Sequence, residues 1–78
     1  MHTGDPIEKA LIALGHAVRS ERKRRHLSQE ELAHTSGLHR NYVGRLERAE
    51  VNPTYDSLVR LALALEMKPS DLIVASGW

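Results

Sequence analysis

Apolar residues recur along this chain at spacings of three and four, with polar residues filling the positions between them. That period belongs to amphipathic helices, and the alternation of half-buried strands is nowhere sustained. Ile7, Leu11, Leu14 and Val18 form a first stripe, with Arg22 next on the same line. Asp5-Pro6-Ile7-Glu8 supplies a start: Asp accepts from first-turn amides, Pro suits the first helical position, and Glu favours the first turn. A first helix is expected from about Pro6 to Arg25, after a loose tail over residues 1–4.

Leu27-Ser28-Gln29-Glu30-Glu31-Leu32 opens a second helix with two devices. Ser28 and Glu31 form a capping box, and Leu27 and Leu32 flank it as a hydrophobic staple. Gly37 can take the left-handed conformation that closes this helix near Ser36. Leu38 and Val43 repeat the staple about an N-cap at His39, so a third helix runs to about Arg48. It buries Val43 and Leu46, with Tyr42 at the edge. A loop over residues 49–53 ends in Asn52-Pro53, and Thr54 then caps a fourth helix whose stripe is Leu58, Leu61, Ala62 and Leu65. Met67-Lys68 turns the chain, and Pro69 begins a short fifth helix through Asp71-Leu72-Ile73-Val74. The expected architecture is all-α, a single five-helix domain over residues 1–78 without repeat or linker.

Composition sharpens this picture. With 78 residues, no Phe and one Trp, the core must be aliphatic and the domain small enough for self-association to help. No cysteine is present, which excludes disulfides and thiolate zinc sites. No leader-like or membrane-length apolar run occurs, so the chain reads as cytoplasmic with no membrane partner. The five histidines lack metal-ligand spacing, Glu30 and Glu31 point to different sides of a helix, and no nucleophile elbow or phosphate loop appears. Neither an enzyme nor a cofactor is expected, and no small-molecule effector is evident.

Charge matters through its distribution rather than its net value of +1. Arg19, Arg22, Lys23, Arg24 and Arg25 cluster at the end of the first helix, and Arg40, Arg45 and Arg48 lie on the third, whereas residues 49–78 are net acidic. A basic face set apart from an acidic one is the pattern of a nucleic-acid footprint. The third helix turns Val43 and Leu46 inward, which leaves Arg40, Asn41, Gly44, Arg45 and Arg48 outward. Arg can donate bidentately to guanine and Asn can pair with adenine in the major groove. The same face could also be a solvated basic surface.

The ordered combination Leu14-Gly15, Arg19, Arg22, Leu27 to Ala33, Gly37-Leu38, Tyr42-Val43, Leu46-Glu47-Arg48, Asn52-Pro53-Thr54, Leu58, Leu61-Ala62, Ala64-Leu65, Pro69-Ser70 and Leu72 resembles the XRE-like helix-turn-helix family of phage repressors and Cro. The resemblance covers roughly three-quarters of the chain. It implies a five-helix lambda-repressor-like domain that reads double-stranded DNA, with Arg40, Asn41 and Arg45 in the base-reading positions. It also implies that Gln29 reaches a phosphate and braces Arg40, and that Arg22 and Glu47 form a structural ion pair. Ser28, Gln29, Gly44, Asn52, Thr54, Lys23 and Arg25 are expected near the DNA backbone. For Lys23 and Arg25 a helix-dipole role is the alternative, and for Asn52 and Thr54 an ordinary loop-to-helix junction. His26, Ala49 and Glu66 stand where the family often has Gly, which leaves open whether those helix ends are rebuilt.

Val59 and Leu63 give the fourth helix a second apolar stripe, followed by Ile73, Val74 and Trp78 near the C-terminus. One stripe fills a core, so a second points to a partner, here a homodimer through residues 69–78, unless the extended first helix covers the surface. The expected function is a sequence-specific transcriptional regulator, a repressor or controller, acting as a homodimer on a palindromic operator. The alternative is a protein-interaction module, or an antitoxin whose main partner is another protein.

Overall fold

The computed structural model describes residues 4–78, so most of the expected N-terminal tail lies outside the described residues. Five helices follow in order: α1 (Pro6–Arg24), α2 (Gln29–Ser36), α3 (Arg40–Glu47), α4 (Tyr55–Ala64) and α5 (Pro69–Ser76). Their starts are capped as the side chains dictate. Asp5 accepts from the Ile7 amide, Ser28 and Glu31 complete a reciprocal box, His39 Nδ1 accepts from the Asn41 amide, and Thr54 accepts from the Ser57 amide. At α5 the Asp71 carboxylate reaches back to the Lys68 amide at 3.2 Å.

The helix ends share one closure. A residue at positive φ follows each helix, and the next amide bonds back to a carbonyl five residues earlier: Leu27 to Arg22, Leu38 to Ala33, Glu50 to Arg45, Met67 to Ala62 and Trp78 to Ile73. Gly37 and Gly77 do this without strain, but His26 (φ 57°), Ala49 (φ 60°) and Glu66 (φ 58°) carry side chains in the left-handed region. These ends are therefore not rebuilt. Each costs roughly 1–2 kcal/mol of backbone strain, which the flanking packing must offset.

Leu14, Val18, Leu32, Val43, Leu46, Leu61, Leu65 and Leu72 meet at the centre with Ala17, Ala33 and Ala62. The helix α1 packs on α3 and α5, α2 on α3 and α4, and α4 on α5. Ile7 is 65% exposed, so the buried stripe of α1 begins later than its periodicity implies. Arg25 is the C-cap of α1 rather than its last turn. Gly15 sits where α1 crosses the end of α3: a Cβ there would lie 2.7 Å from the carbonyl oxygens of Leu46 and Glu47. Only a glycine lets the two backbones approach that closely.

Candidate nucleic-acid interface

The polar face of α3 stands on the hydrophobic seat of Val43 and Leu46, both essentially fully buried. Arg40, Asn41, Arg45 and Arg48 are exposed on the other side. Together with Gln29, Glu30, Gly44 and Glu50 they line one open groove between α3, the start of α2 and the loop after α3. Three guanidinium groups and two carboxylates thus face the same space.

Beneath this groove lies a buried charge network. Arg22 Nε donates to Glu47 Oε2 at 2.7 Å and Arg22 Nη2 to Glu47 Oε1 at 3.0 Å, a bidentate pair joining α1 to α3. Arg22 Nη1 also donates to the Leu27 carbonyl at 2.8 Å, and Gln29 Nε2 donates to Glu47 Oε1 at 3.0 Å. Both charges are therefore well satisfied, the condition under which a buried pair is tolerated.

Two expectations need correction. Gln29 does not brace Arg40, because its amide is spent on Glu47; the Arg40 guanidinium is instead held by Glu30 Oε2 at 2.8 Å. Gly44 is not an open stretch of helix backbone but is buried, since a Cβ there would come within 3.3 Å of Gln29 Oε1 and 3.2 Å of Arg48 Nη1. The missing side chain makes room for Gln29 to lean across α3 toward Glu47. Nothing in the sequence spacing marked Glu30 as the partner of Arg40, ten residues away on another helix.

The remaining residues divide by whether their polar atoms are already engaged. The Asn41 side chain and the Arg45 guanidinium make no hydrogen bond among the described residues, and Lys23 is exposed. Arg25, expected to attract phosphate, folds back onto Glu21, reaching its carboxylate at 2.7 Å and its carbonyl at 2.9 Å. This hydrogen bond leads the effects that hold the Glu21 carboxyl below its ordinary value, against some desolvation. The Ser28 and Thr54 hydroxyls serve as helix caps, though both residues are exposed, as is Asn52. Arg48 forms a two-bond pair with Glu50, at 2.9 and 3.3 Å. That hydrogen bond is the main cause of a lowered Glu50 carboxyl and a raised Arg48 guanidinium.

Two helices at this crossing, with an exposed basic second helix above an aliphatic core, are the pattern shared by the family described as Helix-turn-helix, which matches residues 18–72. This chain belongs to that family. The matched span runs from the second half of α1 into α5, so α1 residues 6–17 lie before it. Control protein C.SmaI of Serratia marcescens is 47% identical over 64 residues, covering 82% of this chain and 76% of that protein. Control protein C.BamHI of Bacillus amyloliquefaciens is 35% identical over 63 residues, covering 80% and 78%. Among solved structures, the restriction-modification controller protein C.AhdI from Aeromonas hydrophila aligns with a TM-score of 0.78 at 42% identity, covering 80% of this chain and 94% of that one. The clp gene regulator ClgR from Corynebacterium glutamicum aligns at 0.84 with 26% identity, covering 97% and 95%. This chain is a DNA-binding helix-turn-helix regulator and not an enzyme. No helix among the described residues is long and apolar enough to cross a membrane.

Proposed function

We propose that this regulator is a controller-type transcription factor that reads a palindromic operator as a homodimer, with α3 in the major groove. The observation that carries this reading is the exposed edge of Arg40, Asn41 and Arg45 above a rigid buried seat. Arg45 and Asn41 have donors and acceptors free for base edges, and each well-matched bidentate pair discriminates by about 1–3 kcal/mol. Ser28, Gln29, Gly44, Asn52, Thr54, Lys23 and Arg25 are the positions we assign to the DNA backbone, of which Gln29 and Gly44 line the same groove. Among these the Lys23 ammonium is the freest to meet phosphate, whereas Arg25 would first have to leave Glu21. The named role of the relatives as control proteins supports the controller assignment.

The homodimer rests on a separate face. Leu63, Val74 and Trp78 are 65%, 75% and 56% exposed, with Val59 and Ile73 half-buried beside them in sequence. Water-exposed apolar side chains of this size on α4, on α5 and just after it favour a second copy. The body measures 34 × 23 × 22 Å, a size that lets two copies side by side occupy half-sites about 34 Å apart.

Selection of bound duplexes from a random pool tests the assignment. The expected product is an inverted repeat, with selective binding abolished by Arg40→Ala/Arg45→Ala at fixed salt. If the wild-type protein enriches no sequence, the reading fails. A recovered sequence without two-fold symmetry would retain base reading and refute the homodimer on a palindrome.

A further inference from the structure

The groove on α3 is less cationic than its arginines imply. Arg40 is paired with Glu30 from α2 at 2.8 Å, and Arg48 with Glu50 from the following loop at 2.9 Å. Only Arg45 among the three arginines of the groove makes no ion pair among the described residues. Both carboxylates stand on the rim, exposed to the medium, at the two ends of the polar face. Neither carboxylate is a helix cap: the box at the start of α2 uses Glu31, while Glu30 lies in that first turn without capping it, and Glu50 lies beyond the C-cap of α3. Exposed ion pairs of this kind contribute little to folding. Their placement in the groove therefore calls for a reason connected with what enters it.

Any duplex, whatever its sequence, offers phosphates to a cationic groove, and this sequence-blind attraction supplies nearly all non-specific binding. A carboxylate beside each outer arginine opposes it twice. It repels phosphate directly, and it occupies the guanidinium that phosphate would otherwise take. A guanine edge presented at the right position competes differently, because its O6 and N7 accept two donors from one guanidinium in a fixed plane. A carboxylate displaced onto a cytosine N4 amino group also regains a partner.

We infer that Glu30 and Glu50 are specificity-determining residues of this regulator, holding Arg40 and Arg48 away from sequence-blind phosphate so that only matched bases release them. This rests on the DNA-reading assignment above and adds to it the two acidic residues. The Glu50 carboxyl is held below its ordinary value chiefly by the Arg48 hydrogen bond.

The test compares wild type, Glu30→Gln, Glu50→Gln and the double variant on two duplexes: the one recovered from the random pool by wild type, and a scrambled duplex of equal composition. Binding is measured between 50 and 200 mM salt. Glu66→Gln, on an exposed residue outside the groove, controls for net charge. Each groove variant is expected to bind the scrambled duplex about two- to five-fold more tightly, the range of a single exposed ion pair. The salt dependence on that duplex should steepen by about 0.9 per arginine released. Affinity for the recovered duplex should rise less or fall, so the specificity ratio drops, most in the double variant. The inference is overturned if both duplexes gain equally, if Glu66→Gln does the same, or if neither affinity nor slope changes. Failure of wild type to recover any sequence would instead sink the DNA-reading assignment, which separates the two outcomes.

Discussion

Replacing Glu47 by Ala should remove a large part of this domain's stability. The Glu47 side chain is 3% exposed and its carboxylate accepts from Arg22 Nε, Arg22 Nη2 and Gln29 Nε2. Its removal strands a guanidinium that is 10% exposed, keeping only the Leu27 carbonyl. Breaking a buried pair by losing one partner costs about 3–5 kcal/mol. A domain of this length holds roughly 4–12 kcal/mol in total, so the loss is between a quarter and all of it. At about 4–8 °C per kcal/mol, the melting temperature should fall by at least roughly 12 °C. The pair is also a strut between α1 and α3, so α3 loses one of its supports with it. Arg22→Met/Glu47→Leu supplies the decisive comparison, because an apolar replacement of both partners removes the stranded charge. Its cost should be well below the sum of Arg22→Met and Glu47→Leu, with a coupling of about 0.5–3 kcal/mol. Thermal melts followed by circular dichroism at one fixed protein concentration read all four species. A Glu47→Ala loss below about 1 kcal/mol, or a double variant equal to the summed singles, refutes the argument.

Three further perturbations are calculable. Gly15→Ala forces a Cβ against two backbone carbonyls at 2.7 Å, so it should cost about 1–3 kcal/mol of overpacking in chemical denaturation; a neutral result would show that α1 can slide along α3. Ala49→Gly keeps φ at 60° without a side chain, and should raise stability by roughly 0.5–1 kcal/mol, relief of left-handed strain less the added chain entropy; a loss would show that the Ala49 methyl packs usefully. Glu21, Glu31 and Glu50 all have folded-state carboxyls below their ordinary value, through Arg25, the Ser28 amide and Arg48 respectively. Their contribution is present above the unfolded carboxylate value, about 4.3, and is lost as pH falls through the lower folded values. The melting temperature should stay level from about pH 7 to 5 and then drop on acidification, and a rise on acidification would contradict the assigned partners.

Much of the architecture was legible because its determinants are local. The five helices follow from a three-and-four apolar period, and their starts from Asp5, Ser28, His39 and Thr54, each bonding an amide two or three residues ahead. The ordered Leu27–Ala33 and Gly37-Leu38 segments carried the family resemblance, from which the Arg22–Glu47 pair followed, while the exposed α3 edge followed from the inward Val43 and Leu46. What periodicity misjudged lies where an end escapes its neighbour: Ile7 fits the buried stripe of α1 yet is 65% exposed, since period alone does not say where a partner helix stops.

Sequence alone therefore determined the helices, their caps, the aliphatic core and the face of α3 that turns outward, because those depend on residues within one or two turns of each other. Only the tertiary structure decided which charges meet. Glu30 reaches Arg40, Gln29 crosses a bare Gly44 to Glu47, and Gly15 lets α1 touch the end of α3. It also decided that His26, Ala49 and Glu66 keep the left-handed turns that their side chains disfavour. Such outcomes depend on how helices cross, and the crossing is set by the collective packing of the core, which no single stretch of chain encodes.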